Sequence, residues 1–209
     1  MNSAVCGMLE ETKKWGERHM KTFDTSILTV EISTLASGYR ALDLLTQDDL
    51  QLIDASPCGD RKFLIVLSGD EKSLQAAFEK LKGFETSSGA GVLDHELIKS
   101  VDRKVLEAAF SLAPQKIRQS VVIVETDTVS SCLSVVNASV KDHGMDVLEI
   151  RIQRTGLGGA LAFMTGPSDA AALVTEVCRA KLKHDMRNGN VELVAQPSAG
   201  FRSLFEFSN

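Results

Sequence analysis

The sequence lacks the features by which several classes of protein are recognised. Its net charge is −5 and it contains no block of basic residues, which argues against a nucleic-acid-binding surface. Aromatic residues make up only 5% of the chain, too few for a platform on which single-stranded bases stack. No apolar run approaches the roughly 18 residues of a membrane span, and the first residues lack the basic-then-apolar order of a secretory signal. We therefore expect a cytoplasmic protein with neither nucleic-acid nor membrane partners.

Grouped metal ligands and catalytic residues are also missing. The four cysteines are far apart, without a CxxC pair, and the four histidines form no HExxH or HxH group. This spacing argues against a zinc ribbon within one chain and against a disulfide scaffold. No nucleophile is accompanied by a recognisable base, so the sequence does not predict an enzyme. The 209 residues suffice for one large domain or for two of about 100 residues each.

The sequence does contain a cluster of glycines, three of them within positions 156–159 of "EIRIQRTGLGGALAFMTGPSDAAALV". A dinucleotide-binding loop follows a strand and opens a helix. Here the glycines precede an apolar run of strand length, "ALAFMTG", and a helical pattern starts only at Pro167. Strand, glycine turn and strand together predict a hairpin rather than a nucleotide site.

The chain also repeats itself. The segment "ILTVEISTLASGYRALDLL" resembles "VVIVETDTVSSCLSVVNAS", with Val30 and Val124 lying 94 positions apart. Further on, Gly69 and Gly166 are 97 positions apart, which places three additional residues near the end of the first helix of the second copy. Internal repeats of this kind predict two similar structural units in tandem.

Hydrophobic periodicity predicts the same order of elements in both copies: strand, helix, strand, turn, strand, helix and a final strand. The first copy has predicted strands at 26–33, 50–54 and 62–68, predicted helices at 36–47 and 71–82, and then a short strand and a connecting helix before 114. The second copy has predicted strands at 120–125, 146–153, 159–165 and 191–195, and predicted helices at 130–142 and 168–184. We therefore expect an α+β fold of two tandem ferredoxin-like domains, each a mostly antiparallel sheet with helices on one face. The predicted division is an N-terminal extension at 1–24, a first domain with connector at 25–114 and a second domain at 115–209.

This order of motifs resembles the bacterial microcompartment (BMC) shell domain. The family has a glycine turn before an apolar strand, then Gly-Asp and an Ala-rich helix; Gly156-Leu157-Gly158 and Gly69-Asp70 correspond to these. Lys141 follows Asn137 by four positions, as does the family's edge lysine. The segment "GVLDHELIKSVDRKVLEAAF" is similar to the connector of tandem shell proteins. The resemblance extends from Thr25 to Phe205.

The chain departs from the family pattern in several places, among them a shortened passage from helix to strand through "TQDDL". Gln47 stands where the first copy would carry its edge lysine, and the first turn, "SPCGDRK", lacks paired glycines. The family's Pro-Arg-Pro-His near the C-terminus is replaced by "QPSAG". These departures indicate a divergent shell unit, or tile, or one whose contacts with neighbouring tiles in the shell are altered.

The resemblance implies a structural shell protein that forms trimers with pseudo-hexagonal symmetry and a central pore for metabolites or electrons. It implies association with itself, including stacked trimers, and with other shell proteins, in the shell of a compartment within the cytoplasm. The glycine turns would meet at the ring axis, where backbone without a Cβ can approach closely and offer N–H groups to anionic metabolites. The pore-lining residues implied are Cys58, Gly59, Asp60, Arg61, Gly156, Leu157 and Gly158.

Each of these residues also has a simpler interpretation. Three Cys58 thiolates around a trimer axis would suit a [4Fe–4S] cluster shared by three chains, but a single turn cysteine is more often only a turn residue. Asp60 and Arg61 are also common in a solvated hairpin. Lys141 either contacts the edge of a neighbouring tile or favours the dipole at its helix terminus.

An alternative function is a soluble tandem ferredoxin-like sensor that binds a small molecule and forms no lattice. Only the shell function requires a trimer. Glu31 and Glu125 take the same position in the two copies, which predicts a shared structural role. The N-terminal extension is expected to form an amphipathic helix that covers one face or contacts cargo, or else a frayed tail.

Overall fold

A computed structural model of the chain describes residues 26–46, 50–88, 91–110 and 116–206, which contain eight strands and six helices. The first half contains β1 (Ser26–Ile32), α1 (Leu35–Leu45), β2 (Gln51–Pro57), β3 (Phe63–Gly69), α2 (Glu71–Ser88), β4 (Val92–Ile98) and α3 (Arg103–Phe110). The second half contains β5 (Ser120–Thr126), α4 (Val129–His143), β6 (Asp146–Ile152), β7 (Ala160–Gly166), α5 (Ser168–His184), β8 (Gly189–Val194) and α6 (Ala199–Glu206). The predicted extension at 1–24 and the boundary predicted between 114 and 115 lie outside the described residues.

The strands form two four-stranded antiparallel sheets with the same topology. The first sheet has the order β2-β3-β1-β4 and the second the order β6-β7-β5-β8. This is the ferredoxin-like arrangement, with two helices crossing between strands of each sheet. The predicted α+β fold of two tandem domains is confirmed.

Alternation along β1 explains how the first sheet is covered. Leu28, Val30 and Ile32 point to one face, where they pack against α1 and α2 in a core of their own. Ile27 points to the opposite face and belongs to a core cluster that includes residues of α4 from the second domain. Both faces of the first sheet are therefore buried, one by its own helices and the other by the next domain.

Matched helix caps confirm the repeat at the level of single residues. Thr34 precedes α1 and Thr128 precedes α4, and both have extended backbones. Each threonine hydroxyl accepts a hydrogen bond from the backbone N–H three residues later, at Ser37 and Ser131. Gly144 ends α4 in a left-handed conformation, as expected at a helix C-terminus.

The additional residues of the second copy are not all where the sequence comparison placed them. The register pairs β2 with β3 and β6 with β7 in the same way, but the turn that follows β2 covers 58–62 whereas the turn that follows β6 covers 153–159. The prediction of a single insertion at the helix end was therefore wrong, because most of the extra length lies in the glycine turn. Helix α4 is longer than α1, but the segment between α4 and β6 is shorter than the segment between α1 and β2. The two differences nearly cancel, so the end of the helix does not reveal where the extra residues lie.

The two halves differ in their last helices. The connecting helix α3 buries Val105 and Leu106 in the core that the two domains share. Helix α6, which the sequence analysis did not identify, packs Phe201 and Phe205 against the second sheet. Ser198 begins it, since its hydroxyl accepts from the Phe201 N–H at 3.2 Å. This cap and the i, i+4 spacing of the two phenylalanines are the sequence signals that predict such a helix.

Candidate functional site

The turn 58–62 of the first domain and the turn 153–159 of the second domain meet. The Asp60 N–H donates a hydrogen bond to the Gly156 carbonyl at 2.5 Å. A Cβ on Gly59 would lie 2.4 Å from the Gly158 nitrogen, closer than any side chain can approach. Both glycines have positive φ, 76° and 79°, so each is needed for its conformation as well as for the contact. The hairpin prediction is confirmed, and the glycines allow two backbones to touch.

All seven residues predicted to line a pore therefore lie at one place, but they differ in exposure. Leu157 is 86% exposed, and Asp60, Arg61 and Gly156 are also exposed. Cys58, Gly59 and Gly158 are buried where the turns touch. The tip of the paired turns thus offers one acid, one base and one apolar side chain to solvent. Their position in a pore stays a prediction.

Cys58 is held in the core that the two domains share. Its side chain is fully buried, and its backbone N–H donates to the Lys62 carbonyl at 3.0 Å. The pKa of the thiol is raised to about 12, chiefly by burial and then by the nearby Glu31 carboxylate, while Lys62 acts in the opposite direction. A cluster ligand must be a thiolate that reaches the metal. The buried Cys58 does not fit that role in this conformation, so the [4Fe–4S] cluster stays an untested prediction.

Contacts behind the turns hold the two domains in fixed relation. Arg154 of the second domain donates to Asp54 at 3.0 Å and to the Ser56 hydroxyl. The Lys62 ammonium lies 3.4 Å from the Asp127 carbonyl. These residues were not predicted from the sequence, because each contact joins positions far apart in the chain.

Glu31 makes the most deeply buried polar contact between the domains. Its carboxylate accepts from the N–H of Ser130 at 3.0 Å and from the Ser130 hydroxyl at 3.3 Å, in the first turn of α4. Burial raises the pKa of Glu31, while the Ser130 N–H lowers it and Asp94 raises it. Its Oε2 atom has no hydrogen-bond partner among the described residues. Glu125, at the same position of the repeat, is exposed, so the shared role predicted for the two glutamates is not seen within one chain.

An ion-pair network lies beside Glu31. Arg187, from the turn after α5, donates to both Asp94 and Glu96 of β4, at 3.1 Å from Glu96. Asp94 is almost fully buried and also accepts from the hydroxyls of Thr128 and Ser131. This network joins β4 of the first domain to α4 and to the turn after α5 in the second.

Lys141, predicted to lie at a tile edge, is exposed near the end of α4. Its ammonium donates to the Lys99 carbonyl at 3.3 Å, within the same chain. Asn137 is buried and accepts from the Asp102 N–H at 2.8 Å, which joins the connector to α4. A contact between Lys141 and another tile stays a prediction.

The described residues contain neither a cluster of metal ligands nor a membrane-spanning helix. Within the part of the chain that the structure describes, no three His, Cys, Asp or Glu side chains converge as a metal site requires. No helix among residues 26–206, apart from the undescribed gaps, has the length and apolar character to cross a membrane.

Comparison with known proteins agrees with the repeat and the fold. No protein-family model matches the chain. The bacterial microcompartment shell protein PduT of Citrobacter freundii is 27% identical over 131 residues, covering 62% of this chain and 69% of PduT.

A solved structure has a similar fold. A microcompartments protein from Desulfitobacterium hafniense DCB has a TM-score of 0.75 at 22% identity, covering 86% of this chain and 98% of that one. The regulatory subunit of aspartate kinase from Thermus thermophilus is 11% identical and aligns over 76% of this chain and 93% of that one, with a TM-score of only 0.30. The repeated motifs, the fold and the match to a shell protein agree, and this chain is similar in sequence and in fold to the tandem-domain shell proteins of bacterial microcompartments.

Proposed function

We propose that this chain is a shell protein of a bacterial microcompartment, and that it forms rings of three chains in which the paired turns surround a central pore. The observation that carries the proposal is the contact between Asp60 and Gly156, which joins the turns of two similar domains within one chain. If the second domain of each chain contacts the first domain of the next chain as the two domains contact each other within one chain, three chains form a closed ring of six domains. All six turns then lie around one axis.

The pore would be lined by the exposed tip of each pair of turns. Three copies of Asp60 and Arg61 would alternate with three copies of Leu157, which gives a ring of mixed charge and three apolar contacts. Backbone N–H groups in turns with positive φ favour anions. The substrates in transit would be small anionic metabolites, and nothing in the site predicts catalysis.

The first experiment measures the mass of the full chain in solution by light scattering. A mass of three chains, or of six if two rings stack, supports the ring. A monomer or a dimer overturns it and favours the tandem ferredoxin-like sensor of a small molecule, which needs no ring.

A cross-linking experiment then places the turns. Leu157→Cys, in a Cys6→Ser background, puts three exposed thiols near the axis, and a short trivalent maleimide should capture three chains in one covalent species. Leu173→Cys is the matched control, because Leu173 is also exposed, at 54%, but lies on α5. Equal yields of the three-chain species from both variants would contradict a pore formed by the turns.

Rings would meet edge to edge in the compartment shell, together with other shell proteins. We assign Lys141 to that edge, since it is exposed and matches the family's edge lysine. Lys141→Ala should leave the three-chain mass unchanged and reduce the area of two-dimensional sheets seen by electron microscopy. Unchanged sheets would show that Lys141 serves only its own helix.

A further inference from the structure

Each side of the contact between the two domains has an equivalent surface elsewhere in the repeat, one on the second sheet and one on helix α1. Within the chain, strands β1 and β4 of the first sheet meet α4. Glu31 lies opposite Asp94 in the strand register and Glu96 follows on the same face. These acids bind residues of α4, as Glu96 accepts from the Ser134 hydroxyl at 3.2 Å.

Strands β5 and β8 repeat this surface. Glu125 lies opposite Asn190 in the strand register, and Ile123 lies opposite Glu192, as Thr29 lies opposite Glu96 in the first sheet. The positions of Glu31, Asp94 and Glu96 are therefore taken by Glu125, Asn190 and Glu192, and all three of the latter are exposed. Helix α6 packs on the part of this sheet around Val121 and Phe163.

Helix α1 repeats the other side of the contact. It carries Leu35 and Tyr39 where α4 carries Val129 and Leu133. The two residues of α4 are fully buried, whereas Leu35 is 40% and Tyr39 is 60% exposed. Leu35 and Tyr39 thus take positions that are buried between domains on α4 but are exposed on α1. Exposed apolar side chains at such positions indicate a surface that another chain covers.

Charges on the two surfaces are complementary. The position of Ser134 on α4 is taken by Arg40 on α1, which is exposed. Glu96 contacts Ser134 within the chain, so Glu192 would contact Arg40 between chains, as an ion pair in place of a neutral hydrogen bond.

The second surface also differs from the first at the position of Asp94. Asp94 needs Arg187 beside it, because a buried carboxylate without a partner is costly. The repeat places Asn190 at the position of Asp94, since Asn190 lies opposite Glu125 as Asp94 lies opposite Glu31. The acid at this position is thus replaced by a neutral residue, so Asn190 can be buried without a base beside it.

We propose that the surface of Glu125, Asn190 and Glu192 binds helix α1 of a second copy of this chain, with Glu192 paired to that copy's Arg40. Leu35 and Tyr39 of the second copy pack on the same surface beside Ile123. This inference rests on the proposed ring and names the residues that close it. The ion pair makes the contact between chains chemically different from the contact within each chain, so the second domain of one copy selects the first domain of the next.

A charge exchange tests the pairing on the full chain. Glu192→Arg and Arg40→Glu should each raise the concentration at which the ring dissociates by about tenfold or more, since like charges then meet. The double variant, Glu192→Arg with Arg40→Glu, should restore dissociation close to that of the wild type. Glu176→Arg is the control, an exposed glutamate on α5 that faces no proposed partner. Dissociation is measured by sedimentation velocity on dilution, and circular dichroism checks that every variant is folded.

The outcomes separate this inference from the ring itself. If the wild type is a monomer at every concentration, both the ring and the pairing are overturned. If the wild type forms rings but neither single variant differs from Glu176→Arg, or the double variant is no better than the singles, the pairing alone is overturned. Rescue by the double variant supports it, because loss of folding cannot be repaired by a second change of charge.

Discussion

The carboxylate of Glu31 accepts a hydrogen bond from the backbone N–H of Ser130, 3.0 Å away, across the contact between the two domains. A negative charge at the start of α4 is favourable for the helix. The same carboxylate is buried and has one oxygen without a partner among the described residues. The contact therefore fixes the domains relative to one another while keeping an acid in an unfavourable environment.

The raised pKa of Glu31 predicts the direction of a pH effect on stability. The carboxyl group of Glu31 holds its proton more tightly in the folded chain than in the unfolded chain, where its pKa has the ordinary value of 4.5. The contribution of Glu31 is therefore most favourable below that value and falls as the pH rises through the raised pKa.

Glu31→Gln should remove the loss of stability that Glu31 causes as the pH rises. The urea midpoint of the variant should therefore increase relative to that of the wild type as the pH rises. Glu176→Gln, on the outside of α5, serves as the control and should follow the wild-type profile. A Glu31→Gln profile parallel to that of the wild type would contradict the assignment.

The contact between Gly59 and Gly158 predicts an unequal response to two similar substitutions. Gly59→Ala should lower the free energy of unfolding by about 3 kcal/mol, because it adds backbone strain and a clash. Gly156 also has positive φ but has open space around its Cβ position. Gly156→Ala should therefore cost only about 1 kcal/mol. Equal costs in chemical denaturation would show that the two turns do not touch.

The network around Arg187 predicts a large loss on truncation. Arg187→Ala leaves Asp94, which is 6% exposed, without its base, and should lower the free energy of unfolding by about 3 kcal/mol. Arg103, which pairs with Glu107 on the surface of α3, is the comparison. Arg103→Ala should change stability by about 0.5 kcal/mol or less. A small effect of Arg187→Ala would mean that water replaces the guanidinium.

The burial of Cys58 predicts a thiol that is unreactive in the folded chain. A thiol with a pKa of about 12 is almost entirely protonated at neutral pH, so alkylation of Cys58, followed by mass spectrometry, should be slow until the chain unfolds. The exposed position in Leu157→Cys should label rapidly under the same conditions. Rapid labelling of Cys58 at neutral pH, or visible absorbance of anaerobically purified protein that Cys58→Ser removes, would instead favour the cluster.

The sequence by itself determined the tandem repeat and the order of the elements. Alternation along β1 and the 3.6-residue period of the helices are local properties, and they predict strands and helices without knowledge of their neighbours. The glycines at 156–159 predicted a turn for the same reason, since positive φ is a property of single residues. The family resemblance followed from these local patterns in their order.

Only the tertiary structure decided which copy of each repeated residue is buried. Glu31 and Glu125 are indistinguishable in sequence, yet one is buried against α4 and the other is exposed. Cys58 and Gly59 were predicted at an open turn and lie beneath it, because the two turns pack against each other. Burial depends on what covers a surface, and the covering elements here come from the other half of the chain, beyond the reach of any local pattern.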